Sequence, residues 1–173
     1  MVGVLFVQDI LGSGPGVQSS RGDSGVCLAA NRGGERYLKI TAYDHVGLRV
    51  TERARSLNFY EMLGFRLDKA HSTHTALEIV NECGVRLNLI VNGQRTPEGD
   101  NVLMDRPEKW PGYTHAAFIV DSISEILRWA TIADIPITEG PVNWGRRITC
   151  FLRDPDSNVL EFNELLSSSE ILA

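Results

Sequence analysis

The sequence predicts an α+β protein built from two copies of one β-α-β-β-β module. In each half a strand-like alternation precedes a helix-like apolar stripe, and the second half follows the plan of the first 70 positions later. His115 falls 70 positions after His45, and Val120 falls 70 after Val50. Self-similarity at a fixed spacing is typical of duplicated structural units. We therefore expect a single duplicated domain over residues 40–166.

The first module is expected over residues 40–92. It opens with DHVGLRV, in which His45, Gly47 and Arg49 alternate with valine and leucine, as in a half-buried strand. Thr51 is the predicted N-cap of a helix that runs to Met62, because it precedes an apolar stripe with helical spacing. Gly64 ends that helix. Three further strands are predicted at Phe65–Ala70, Thr75–Val80 and Val85–Val91.

The second module is expected over residues 113–166, between a connection at 93–112 and a tail at 167–173. The connection is rich in proline, glycine and charge, which favours a linker over regular structure. Asp121 is the predicted cap of a second helix over residues 122–133. Further strands are predicted at Ile137–Thr138, Arg147–Arg153 and Asn158–Asn163.

Residues 1–39 have a different composition from the rest of the chain. Glycine and serine dominate from Gly12 to Gly34, and few apolar side chains are present to offset their backbone entropy. We expect a mobile N-terminal extension, in which Val4 to Ile10 is the stretch apolar enough to dock elsewhere.

Composition excludes several classes of protein. The 173 residues are 43% hydrophobic and carry a net charge of -5, which gives no broad positive field to attract nucleic acid or an anionic membrane. No apolar run is long enough to span a bilayer. Three cysteines without a CxxC pair indicate a reducing compartment, so we expect a cytoplasmic protein.

The repeated histidines indicate a metal site. A single histidine on a strand is usually structural, but His45 and His115 occupy the same position in two copies. Glu161 lies between two apolar residues on the last predicted strand, so its side chain points away from the apolar face. Two imidazoles and a carboxylate suit a divalent cation with open coordination positions. His71 and His74 have no evident partner and are predicted to be surface histidines.

From about Ile40 to Leu165 the chain resembles the vicinal oxygen chelate superfamily, which includes glyoxalase I, fosfomycin-resistance thiol transferases, extradiol dioxygenases and bleomycin-binding proteins. The motifs that carry the resemblance are DHVGLRV at 44–50, LNFYEMLGFRL at 57–67, GYTHAAFIV at 112–120 and FLRDPDSNVLEF at 151–162. The resemblance implies that the two modules form an incomplete eight-stranded barrel around a metal cleft.

The resemblance also implies a ligand set for one divalent ion of iron, manganese, nickel or zinc. The residues on the family's ligand positions are His45, His115 and Glu161. A fourth position, occupied by Glu or Gln in glyoxalase I, falls on Asn88, whose amide is a poor ligand. Glu78 and Glu82 are alternative carboxylates.

The implied function is a divalent-metal-dependent enzyme of the glyoxalase-like group that acts on a small oxygen-bearing substrate as a lyase, isomerase or thiol transferase. The alternatives are an iron-dependent extradiol-type dioxygenase and a non-enzymatic antibiotic-binding protein. Candidate substrate-binding residues are Arg49, Asn88, Tyr113 and Trp144. No residue is assigned a catalytic role. A homodimer is expected, because two modules leave an open barrel with an uncovered rim.

Overall fold

The computed structural model describes residues 28–30, 36–38 and 40–167. The chain divides into two compact units, Met1–Tyr43 and Asp44–Ala173. In the first unit, β1 (Leu28–Ala30) pairs in antiparallel fashion with β2 (Arg36–Leu38). The sequence predicted no strand there, and Val4 to Ile10 lies outside the described residues.

The second unit contains two βαβββ modules, which confirms the predicted duplication. Its elements, in chain order, are β3 (Val46–Val50), α1 (Arg53–Met62), β4 (Arg66–Leu67), β5 (Ala76–Val80), β6 (Arg86–Val91), β7 (His115–Val120), α2 (Ile123–Ile132), β8 (Ile137–Asn143), β9 (Arg147–Arg153) and β10 (Val159–Leu165). They form two four-stranded sheets with the orders β3-β6-β5-β4 and β7-β10-β9-β8. The first and last strands of each module are parallel neighbours, so both modules have one topology.

One hydrophobic core serves both modules. Alternate residues of the inner strands are buried with the apolar side chains of both helices in a single cluster. Two ring contacts cross between modules: Phe59 with Trp129, and Phe65 with Phe118, each with ring centroids 6.3 Å apart. The strand residues that alternate with this core lie on the other side of each sheet, called here the helix-free face. It carries, among others, His45, Gly47, Arg49, Asp68, Glu78, Asn88, His115, Ala117, Thr149, Phe151, Glu161 and Asn163.

Both helices begin one residue later than predicted. Glu52 caps α1, because the hydroxyl of Thr51 is already used: it donates to Asp156 at 2.6 Å. Ser122 caps α2 in place of Asp121. A tertiary contact therefore decides the first cap, which no local pattern records.

The two largest differences from the predicted strand lengths are in β4 and β8. β4 stops at Leu67, because the chain then turns and the hydroxyl of Ser72 bonds the backbone oxygens of Asp68 and Glu78. β8 extends through Asn143 with two register shifts along its pairing with β9. No helix among residues 40–167 has the length and apolar character needed to cross a membrane.

The turn between β9 and β10 fastens the second module to the first. Asp156 accepts the backbone N–H of Thr51 at 3.0 Å, its hydroxyl at 2.6 Å, and Nη2 of Arg55 at 2.5 Å. Its side chain is 5% exposed. Because these donors precede or begin α1, one buried carboxylate connects the two modules.

A second buried contact strengthens the same junction. The Tyr60 hydroxyl donates to Asp154 at 2.9 Å, and both residues are buried. Burial raises the pKa of Tyr60 well above its ordinary value, and the neighbouring Asp154 raises it further. Burial also raises the pKa of Asp154, although hydrogen bonds from Asn158 oppose that change.

Candidate functional site

The pairing register places the last-strand residues of the two modules in equivalent positions. Gly47 on β3 pairs with Asn88 on β6, and Ala117 on β7 pairs with Glu161 on β10. Since Gly47 and Ala117 are themselves 70 positions apart, Asn88 and Glu161 are counterparts. The duplicated fold therefore carries an amide at this position in one module and a carboxylate in the other.

His115 and Glu161 are in direct contact on the helix-free face. Nε2 of His115 lies 2.7 Å from Oε2 of Glu161, with 35% and 14% of the side chains exposed. Nδ1 of His115 lies 2.9 Å from the hydroxyl of Thr114, and the ring meets Phe151 edge-on with centroids 6.0 Å apart. The Thr114 hydroxyl donates to Nδ1 or accepts from it according to which tautomer the ring adopts.

A buried polar network orients Glu161 from its other side. Nδ2 of Asn163 donates to Oε1 of Glu161 at 2.9 Å, and the Thr149 hydroxyl donates to Oδ1 of Asn163 at 2.7 Å. Asn163 is 4% exposed and Thr149 1%. Each oxygen of Glu161 thus has a partner, which limits the carboxylate to one rotamer. The sequence analysis missed Asn163, although its place two residues after Glu161 on a strand puts both on one face.

His45 occupies the corresponding place in the first module but has a different partner. It precedes β3 by one residue, and its Nδ1 lies 2.6 Å from Asp44. No described residue hydrogen-bonds its Nε2. The ligand atoms of His45, His115 and Glu161 do not all lie within 4.8 Å of one another. Among residues 40–167 a different group of three side chains, described below, does meet this spacing.

Asn88 and Arg49 lie on the same face as His45 and have no described polar partner for their side chains. Asn88 is half-buried between Gly47 and Glu78, which are its neighbours across the sheet. Arg49 is exposed, and its guanidinium makes no ion pair within the described part of the chain. Both side chains are available to a ligand on this face.

The predicted aromatic residues lie at the surface. Tyr113 precedes β7 and is 91% exposed, and Trp144 lies between β8 and β9 and is 61% exposed. Glu82, one of the alternative carboxylates, is exposed on the β5–β6 turn. The role of Tyr113 and Trp144 in substrate binding and the predicted homodimer stay predictions.

A second group of ionisable side chains, the β4–β5 cluster, consists of Asp68, His71 and Glu78. One ligand atom from each lies within 4.8 Å of the other two. Nδ1 of His71 is 2.9 Å from Oδ2 of Asp68, and this bond lowers the pKa of Asp68 and raises that of His71. His71 and His74 are exposed, as predicted, but the prediction that His71 lacks a partner is wrong, because Asp68, three residues earlier, is within hydrogen-bond distance. The β4–β5 pairing then places Asp68 opposite Glu78.

Similarity to known proteins agrees with this architecture. A glyoxalase domain-containing protein from Mycosarcoma maydis is 25% identical over 134 residues, which cover 75% of this chain and 71% of that protein. A solved glyoxalase/dioxygenase from Nostoc punctiforme superposes with a TM-score of 0.59 at 17% identity, covering 76% of this chain and 99% of the other. The antibiotic-binding protein TnmS3 from Streptomyces sp. CB03234 gives 0.56 at 18% identity, covering 75% and 100%.

Paired βαβββ modules with chemistry-bearing side chains on the helix-free face define a glyoxalase-like class of protein. The family model of the Glyoxalase/Bleomycin resistance protein/Dioxygenase superfamily matches residues 42–162. The chain belongs to this superfamily, which includes enzymes and non-enzymatic binding proteins.

Proposed function

We propose that the protein is a divalent-metal-dependent enzyme of this superfamily that acts on a small oxygen-bearing substrate as a lyase, isomerase or thiol transferase. The observation that carries the proposal is the contact between His115 and Glu161. It brings one nitrogen ligand and one carboxylate ligand together on the helix-free face. Their strand positions are equivalent to those of His45 and Asn88 in the first module.

The donor set suits a divalent ion in its chemistry. Nε2 of His115 and Oε2 of Glu161 lie 2.7 Å apart, close enough for both atoms to bind the same ion. Glu161 is held by Asn163, as outer partners hold ligands in metal sites. His45 is the expected third ligand, since its Nε2 has no described partner. Asn88 lies where glyoxalase I has a fourth ligand, Glu or Gln, and its amide is a poor ligand.

The bound ion would supply Lewis-acid polarisation of a substrate oxygen. The protein's own residues would orient the substrate. Arg49 lies on the same strand face as His45 and has no described counter-ion, so it can bind an anionic group of the substrate. The amide of Asn88, which has no described hydrogen bond, offers two N–H donors and a carbonyl acceptor on the same face.

Metal analysis of the tag-free protein tests the proposal. We expect one equivalent of iron, manganese, nickel or zinc whose binding requires His45, His115 and Glu161. The affinity for this ion should fall by orders of magnitude in His115→Ala and in Glu161→Gln. His74→Ala is the matched control, because it removes an exposed histidine outside this site. If the His115→Ala and Glu161→Gln variants contain as much metal as the wild type, the proposal is contradicted. Iron together with oxygen uptake on catechols would instead indicate the dioxygenase.

A second candidate is a binding protein without catalysis. The observation that favours it is that the ligand atoms of His45, His115 and Glu161 do not all lie within 4.8 Å of one another, and that His45 is bonded to Asp44 instead. The similarity to an antibiotic-binding protein from Streptomyces is compatible with this function. Stoichiometric binding of an aromatic antibiotic by a protein that takes up no metal would favour it over the enzyme.

A further inference from the structure

We propose that the β4–β5 cluster, Asp68, His71 and Glu78, is a second cation site that binds Zn²⁺ independently of His115 and Glu161. Three donors of mixed type converge there from a strand end, a loop and a neighbouring strand. One imidazole nitrogen and two carboxylates form an N/O set that zinc accepts, with water completing four-coordination.

Strand pairing fixes the two carboxylates next to each other. The backbone N–H of Asp68 donates to the carbonyl of Glu78 at 2.8 Å, directly after the β4–β5 ladder. Both side chains therefore project from the helix-free face, and they are only 24% and 14% exposed. Two carboxylates this close, and largely withdrawn from water, need positive charge between them.

The protein supplies only part of that charge. Arg86 pairs with Oε1 of Glu78, and no described residue hydrogen-bonds Oε2. Oδ2 of Asp68 faces His71, whose side chain is 65% exposed and so open to an ion from solvent. A cation between Asp68 and Glu78 would take the place of the hydrogen that Nδ1 of His71 and Oδ2 of Asp68 share.

The loop that presents His71 is held in place. The Ser72 hydroxyl accepts the N–H of Glu78 at 2.9 Å and donates to the carbonyl of Asp68 at 2.6 Å. The Asp68 carboxylate also accepts the N–H of Ala70 at 3.0 Å. The three ligands therefore have little chain entropy left to lose when an ion binds.

The test is zinc titration of the full-length, tag-free protein at micromolar free Zn²⁺, followed by calorimetry and native mass spectrometry. Asp68→Asn and His71→Ala should each remove one zinc equivalent and weaken binding at this site at least tenfold. His74→Ala, three residues along the same loop, should retain it. Glu78→Gln should weaken binding, while its amide still accepts from Arg86 and preserves the fold.

The outcomes separate this site from the one proposed above. A zinc equivalent lost in His71→Ala and retained in His115→Ala supports the second site, whatever happens to the first. A stoichiometry that is unchanged in both Asp68→Asn and His71→Ala overturns it and leaves the enzyme proposal standing. Absence of zinc binding to the wild-type protein overturns it as well. Equal unfolding temperatures of the metal-free variants show that a lost site is not a lost fold.

Discussion

Removal of the Asp156 carboxylate should loosen the junction between the two modules. In Asp156→Ala, the Thr51 hydroxyl and backbone N–H lose their acceptor, and the guanidinium of Arg55 loses its counter-charge. Among the described residues no other carboxylate accepts from these groups, and the carboxylate that is removed is 5% exposed. The effect is therefore that of breaking a largely buried network.

The magnitude follows from burial. Breaking a fully buried ion pair costs roughly 3–5 kcal/mol, and each hydrogen bond to a charged group contributes about 1.5–3 kcal/mol without adding fully. The Arg55 side chain is 31% exposed, so water recovers part of its loss. We expect a destabilisation of about 3 kcal/mol, at the lower end of that range. For a domain of this size that lowers the melting temperature by about 9 °C.

Thermal and urea unfolding of three variants measures the effect. Asp156→Asn retains one acceptor oxygen but no charge, and should lie between the wild type and Asp156→Ala. Asp121→Ala is the control, because Asp121 follows β7 as Thr51 follows β3, and it is an exposed aspartate without a described partner. It should change stability by less than about 0.5 kcal/mol. A difference of about 2 °C or less between the melting temperatures of Asp156→Ala and Asp121→Ala is what a surface substitution would give. That result would refute the proposed role of Asp156 at the junction.

Two further predictions concern buried polar groups. Tyr60→Phe should cost about 1 kcal/mol near pH 8, where the hydroxyl bonds Asp154. Because the folded-state pKa of Tyr60 lies above 10, this stability is present below pH 10 and is lost as the pH rises through the raised pKa. The urea midpoints of the wild type and of Tyr60→Phe should therefore converge between pH 8 and 11. A constant difference between the two midpoints would contradict the raised pKa of Tyr60. Asn163→Ala frees Oε1 of Glu161 and should weaken metal binding by about 10–100-fold in calorimetry; wild-type affinity would show that Asn163 does not orient the ligand.

The modules were predictable because their signals are local and repeated. The alternation in each opening strand, the apolar stripe in each helix and the 70-residue offset are all properties of short windows, and each appears twice. The pairing of Gly47 with Asn88 and of Ala117 with Glu161 agrees with the ligand positions that the family resemblance implies for Asn88 and Glu161. The contact of His115 with Glu161 follows from the same parallel pairing.

The remaining features depend on tertiary contacts that no short window contains. Thr51 was a good cap by type, but a carboxylate from a turn 105 residues away takes its hydroxyl. The β4–β5 cluster was missed because Asp68 and Glu78 meet only when β4 ends early and the loop folds back. The position of His45 relative to His115 depends on how two separate sheets pack, which is not a property of either strand pattern.

The shared core has a consequence for the independence of the two halves. Phe65 of the first module contacts Phe118 of the second, and Phe118 in turn contacts Phe162, so the aromatic side chains form a continuous path across the duplication. Neither half can expose its share of this path to water without removing packing partners from the other. Although the sequence reads as two repeats, we therefore expect the two halves to unfold together as one cooperative unit.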